Sequence, residues 1–243
     1  ALYGIGNLVT GEGIKNQVYP NQIANNDLGW EKNNQYNVGV DANLWNGLLG
    51  VNLDFYYTKT TDMLLDVPVP SVSGFTKSLM NIGSMQNKGI EVNLSSRKQI
   101  GDFHYELTAN WSLNRNKVLS LGDEDAPMIV ESSYAGGYYI TQVGQPVGCY
   151  YLMVQDGIFH NQEELDSYPH FDTTVVGDFR FVDADGDGVL EKDDDRVIVG
   201  NYMPDFYYGF GLSLGYKGFD FLANFQGVYG NEILNLERRY LCN

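Results

Sequence analysis

The chain has 243 residues, with 31 acidic against 15 basic side chains and a formal net charge of −16, a field that as a whole repels nucleic acid and anionic lipid surfaces. Its 28 Gly, 18 Tyr and 12 Phe point away from a helix bundle and toward strands separated by many turns. No run of about 18 apolar residues occurs, which excludes a transmembrane helix but not a membrane barrel, whose strands need only about 9 to 11 residues each.

Taken in chain order, the first 34 residues carry no assigned element, and ALYGIGNLVT lacks the basic and apolar regions of an export signal. Residues 35–45 then alternate without error, Tyr36, Val38, Val40, Ala42 and Leu44 on one face against Gln35, Asn37, Gly39, Asp41 and Asn43 on the other. After a turn at Asn46 and Gly47 the pattern repeats over 49–58, with Leu49, Val51, Leu53, Phe55 and Tyr57 opposite Gly50, Asn52, Asp54 and Tyr56. The two runs predict a hairpin.

A second pair is predicted over 88–97 and 103–113, turning at Gly101 and Asp102, and a third over 206–216 and 219–229, turning at Lys217 and Gly218. The connections within pairs are short. Those between pairs, 59–87 and 114–205, are long and are predicted as loops, as is the tail 230–243. Short turns at one end and long loops at the other match the periplasmic and extracellular ends of a bacterial barrel. Aromatic residues gather near strand ends, as at Tyr36, Trp45, Phe103, Trp111, Tyr216 and Phe219, and no charge falls on the central apolar face of any of the six strands. The predicted class is therefore all-β: antiparallel strands forming part of a large transmembrane barrel, apolar side chains toward lipid and polar ones toward a lumen. Six strands cannot close a wide barrel, so the chain is expected to be incomplete. The same alternation also fits a secreted, calcium-stabilised β-sandwich that binds polysaccharide, in which the apolar faces pack inward.

One motif carries distinct chemistry. Residues 183–194, DADGDGVLEKDD, align with a twelve-residue calcium loop: Asp183, Asp185 and Asp187 at positions one, three and five, Gly188 at the sharp turn and Leu190 as the apolar eighth residue. Val189 offers its backbone carbonyl, Glu191 a direct or water-mediated oxygen, and Asp194 stands where a bidentate Glu is usual, with Asp193 and Asp195 as alternative closing ligands. Close-set carboxylates repel, so a divalent ion would relieve a penalty that a plain solvated turn would bear. The flanking RFV and RVIVG are extended, so the ion would be structural rather than part of a helix-pair switch.

Enzymatic readings are weaker. Carboxylate pairs such as Asp41 with Asp54 are explained by a wetted polar face, and His104, His160 and His170 show no spacing of a triad or metal site. Cys149 and Cys242 are too few for a disulfide framework. Tyr134, Tyr138, Tyr139, Tyr150 and Tyr151 in the long loop either stack on sugar rings or pack against one another.

An ordered series of segments resembles the SusC/RagA group of TonB-dependent outer-membrane transporters of Bacteroidetes: NNDLGWEKNNQYNVGVD (25–41), DFYYTKTTDMLL (54–65), NIGSMQNKGIEV (81–92), VGQPVGCYY (143–151), GDFRFVDADGDGVLEKDDDRVIVGN (177–201) and YKGFDFLANFQGVYGNEI (216–233). The resemblance implies a plugged barrel of about 22 strands, a SusD-like surface lipoprotein over its mouth, TonB as energy source, and import of a glycan or peptide. By the same comparison the plug, the TonB-contacting segment and a terminal aromatic strand have no counterpart in these residues.

Overall fold

The computed structural model describes residues 3–10, 13–20, 23–69, 71–75, 77–122, 124–131 and 138–235. In chain order these form β1 (Tyr3–Thr10), β2 (Gly13–Pro20), β3 (Lys32–Leu44), β4 (Leu49–Pro68), β5 (Lys77–Ile100) and β6 (Phe103–Ser120). The short elements β7 (Met128–Glu131), β8 (Tyr138–Thr141), β9 (Cys149–Met153), β10 (Gln155–Ile158), α1 (Gln162–Ser167), β11 (Phe179–Phe181) and β12 (Arg196–Gly200) follow, and β13 (Phe206–Tyr216) and β14 (Phe219–Tyr229) complete the described elements. Six strands make one antiparallel wall in the order β14-β13-β6-β5-β4-β3, while β1 and β2 pair as a separate hairpin in a stretch for which the sequence predicts no element.

The three short turns follow local chemistry. Asn46 and Gly47 both take positive φ (57° and 84°), the geometry of the hairpin turn that favours Asn-Gly, and Leu48 N–H donates to the Trp45 carbonyl at 3.3 Å. Lys217 and Gly218 repeat it (48° and 88°), whereas at Gly101–Asp102 only Gly101 is positive, at 62°. These turns fix register, and register fixes which face each side chain meets.

Reading straight across the wall exposes the rule. Ala42, Val51, Leu94, Ala109, Phe210 and Phe225 share one row, all apolar. The adjacent row on the opposite face is Asp41, Asn52, Asn93, Asn110, Gly209 and Gln226, all polar or Gly. Leu222, Tyr207 and Val228 depart from this pattern, lying on the polar face toward β14. On β6 the apolar band runs from Phe103 to Leu113, about 33 Å of strand, which at a tilt of about 40° spans about 25 Å of membrane normal, the height of a bacterial barrel's lipid-facing band. Lys98 is the one cation within the band, near the short-turn end beside Tyr105. Nothing among the described residues covers this face: Val38 is 66% and Phe225 63% exposed. A sandwich would have buried them, so that alternative is not the fold.

Two predicted loops need correction. Residues 59–87 are mostly strand, because β4 continues to Pro68 and β5 begins at Lys77, leaving 69–76 as the connection. The alternation is hidden by a bulge: Thr60 pairs with Met85 and Met63 with Gly83, so Thr61 and Asp62 oppose Ser84 alone, with Asp62 at φ 57°. One extra residue swaps faces. Odd-numbered side chains that point outward up to Lys59 therefore point inward at Met63 and Leu65, where both lie against the position of Gly83. Likewise β6 runs on to Ser120, so 114–120 is wall and not loop. Within the tail, 230–235 is coil as predicted, and 236–243 lies outside the described residues.

The remainder of the long connection, from 121 to 205, is a folded cap. Its four-stranded sheet has the order β12-β9-β8-β7, flanked by the β10–β11 pair and α1. The buried apolar side chains of the described residues gather here: Ile140, Cys149, Tyr150, Phe159, Leu165 and Leu190, with Val118 from the end of β6. The cap docks on the outer stretch of β6, where Val118 N–H donates to the Gln145 carbonyl and Gly144 N–H to the Val118 carbonyl, both at 2.9 Å. It lies on the polar side of the wall. The inward-facing Met63, Leu65, Met85 and Val118 meet Met128 and Val147 of the cap around a small apolar cavity of about 160 Å³.

Candidate functional site

The acidic loop sits between β11 and β12, on the cap. Asp183, Asp185 and Asp187 each present a carboxylate oxygen, all within 4.8 Å of one another. Oxygens held about 2.4 Å from one ion can be at most about 4.8 Å apart, so the three fit a single calcium shell. Backbone geometry gathers them. Gly186 and Gly188 take positive φ (77° and 87°), and Asp183 accepts from Gly186 N–H at 2.7 Å and from Gly188 N–H at 2.9 Å. Asp185 accepts from Asp187 N–H at 3.2 Å and Asp187 from Val189 N–H at 2.8 Å. The predicted sharp turn at Gly188 is thus a conformational requirement, since the space around it is open.

Electrostatics divides the carboxylates. The Gly188 N–H holds Asp183 below its ordinary range, with Gly186 adding to it. Asp185 is drawn down by Asp187 N–H, yet desolvation and the charges of Asp187 and Asp195 leave it raised. Glu191 is raised chiefly by Asp194, through both a shared hydrogen bond and like charge. Three carboxylate oxygens gathered this closely could share one cation, which would offset their mutual repulsion.

The closing residue splits in two. Asp194, at the twelfth position, is exposed, and Asp193 turns to Arg196 at 3.0 Å. Asp195 is 1% exposed, and its two oxygens accept from Ala184 N–H at 2.6 Å and Glu191 N–H at 2.7 Å. It is a structural clamp. Nothing in the spacing distinguishes it from its two acidic neighbours, because the decisive property is burial. Arg196, next in sequence and 8% exposed, stacks over the Tyr138 ring at 3.5 Å and opens β12, tying the loop to the cap sheet.

The other candidates are scattered. Asp41 accepts a hydrogen bond from Asn52, and Asp54 packs against Gly39, both on the polar face of the wall. His104 faces Gly215 across the strands, His160 lies 3.2 Å from Glu164, and His170 lies 2.8 Å from the Tyr168 carbonyl, so the three do not converge. The loop tyrosines pack within the cap: the rings of Tyr139 and Tyr150 are 5.8 Å apart, and Tyr150 hydroxyl donates to the Glu232 carbonyl at 3.2 Å. Tyr134 and Cys242 lie outside the described residues. Cys149 is buried in the cap core, where desolvation and the charge of Glu232 push its thiol up.

Known proteins share this architecture. A family model described as "TonB dependent receptor-like, beta-barrel" matches residues 2–235. TonB-dependent receptor P26 of Formosa agariphila is 37% identical over 218 residues, covering 89% of this chain and 22% of that protein. TonB-dependent receptor SusC of Bacteroides thetaiotaomicron is 27% identical over 218 residues, covering 86% of this chain and 20% of that protein. The solved RagAB peptide importer in its open-open state superposes with a TM-score of 0.72 at 26% identity, over 95% of this chain and 24% of the other. The chain thus spans about a fifth to a quarter of the length of these relatives.

Proposed function

Because the chain belongs to the TonB-dependent receptor-like β-barrel family, with SusC- and RagAB-like relatives, we propose that it is the wall and outer cap of a nutrient importer of the Gram-negative outer membrane. The observation that carries this is the register. Across six strands one face presents an apolar band about 25 Å high, interrupted by a cation only at Lys98 near the short turns, and the other presents mainly Asn, Asp, Gln, Ser and Gly to water. The short turns at Asn46–Gly47, Gly101–Asp102 and Lys217–Gly218 then lie toward the periplasm, and the cap toward the outside.

Import in this reading is coupled to TonB and shared with a SusD-like lipoprotein. The cargo is a nutrient too large for porins: a glycan or oligosaccharide, or a peptide as in the RagAB importer. The residues of this chain supply a lumen wall and no catalytic group. The acidic loop holds a structural calcium through Asp183, Asp185 and Asp187, with the Val189 carbonyl, Glu191 and Asp194 completing its shell.

Uptake by cells bearing the whole transporter tests the proposal. Growth on one oligosaccharide or peptide should be lost on deleting either the transporter or TonB, and a SusD-like lipoprotein should co-purify in mild detergent. Unchanged uptake of every such nutrient in both deletions would overturn it. For the ion, calorimetry on the chelator-stripped transporter should show calcium binding, and no heat at millimolar calcium would count against it.

A further inference from the structure

From the side-chain order on the outward face, we infer that the wall carries a binding site for the phosphate groups of outer-leaflet glycolipid, just above its apolar band. The inference rests on the proposed orientation, with the cap outside. Above the row of Val38, Phe55, Ile90 and Leu113, the same face continues as Tyr36, Tyr57, Lys88 and Arg115, and then as Asn34, Lys59, Gln86 and Lys117. No register shift intervenes, so all of these side chains point outward, toward lipid and not into the lumen.

Four cations therefore occupy two successive rows on three adjacent strands, beginning where the hydrocarbon-facing residues end. Tyr36 and Tyr57, with ring centroids 6.5 Å apart, mark that level as the aromatic girdle. Arg115 is matched by Asp205 at 2.8 Å, but no carboxylate among the described residues lies within ion-pairing distance of Lys59, Lys88 or Lys117. Three unmatched lysines side by side are conspicuous in a chain with 31 acidic side chains and only 15 basic ones. The net charge of −16 argues against anionic surfaces for the molecule as a whole, and this patch reverses that locally.

Lysine stems lie along apolar surface while their ammonium groups reach the headgroup layer, and phosphate is the anion fixed at that depth. A soluble ligand would not need its site placed flush with the membrane border. A phosphorylated lipid has its tails against Phe55 and Ile90 when its phosphate meets Lys59, Lys88 and Lys117.

The test uses the whole transporter, extracted in mild detergent and examined by native mass spectrometry with lipid A, with dephosphorylated lipid A, and with inorganic phosphate as soluble competitor. Wild type should retain lipid A, lose about tenfold or more on dephosphorylation or in the combined Lys59→Gln, Lys88→Gln, Lys117→Gln variant, and be little affected by Lys77→Gln with Lys192→Gln. Equal retention of the two lipids by wild type overturns the inference without reliance on any variant. Displacement by inorganic phosphate alone would instead make this a soluble-anion site and also overturn it. Labelling of a Lys192→Cys variant on intact cells by an impermeant reagent tests orientation separately: labelling together with equal retention of lipid A and its dephosphorylated form sinks the lipid site alone, and absence of labelling sinks the orientation.

Discussion

Phe225 in the wall is 63% exposed, while Phe159 in the cap is 1% exposed with its ring against Tyr168 and His170. The same residue type has opposite fates because the two regions answer to different solvents. In the cap, water drives Phe159, Leu165, Ile140 and Leu190 together, as in any soluble domain. In the wall the side chains facing lipid have nothing to flee, and what must be satisfied is the backbone, through the ladders that join β3 to β14. The bulge at Asp62 is where one regime gives way to the other. Below it the apolar side chains of β4 point outward, and above it Met63 and Leu65 point inward to meet the cap.

Breaking the cap core should give the largest effect. Phe159→Ala removes a fully buried ring and should cost about 3 to 5 kcal/mol, read as a lowered cap unfolding transition in the whole transporter. Heat-modifiable migration, which reports barrel assembly, should not change. A joint loss of both would show that cap and wall fold as one unit and undo the contrast. Next in size is Leu212→Arg, which places a cation near mid-band beside Leu107 and Ala223 and should cost about 2 to 4 kcal/mol in assembly. Leu53→Arg, higher in the band in the Trp111 row, should cost less, and Asn52→Arg and Ser213→Arg on the polar face less again. Equal defects on both faces would reverse or erase the lipid assignment.

How much of this is legible in the sequence depends on which regime wrote the residues. The six wall strands can be read because a membrane wall imposes period two without relief, and the observed β13 and β14 have the predicted bounds, 206–216 and 219–229. The outer halves of β4 and β5 cannot, since beyond the bilayer the outward face is free to carry Thr, Lys and Asn, and the bulge shifts the phase midway. The cap escapes for a related reason: its strands of three to five residues are too short to show a period, and its core is assembled from residues distant in sequence. In the acidic loop, Asp183, Asp185, Asp187 and Gly188 are legible because ligand spacing and turn geometry are local, whereas the clamp at Asp195 depends on what surrounds it.

That difference between Asp194 and Asp195 supplies the smallest and sharpest test. Asp195→Asn keeps the shape but exchanges one acceptor for a donor, so either Ala184 N–H or Glu191 N–H loses its partner inside the cap, at a cost of about 1 to 3 kcal/mol. Faster amide exchange around 184 and 191 should report it even without added calcium. Asp194→Asn removes an exposed carboxylate that repels Glu191, so metal-free stability should shift by no more than about 0.5 kcal/mol. Calcium affinity should nevertheless fall if the proposed shell is right, because Asp194 is its closing oxygen donor. If instead Asp194→Asn leaves calcium binding intact while Asp195→Asn abolishes it at unchanged metal-free exchange, the clamp is itself the ligand. The loop would then close one residue later than the twelve-residue spacing requires, and the cap sheet beyond Arg196 would be held by the ion directly.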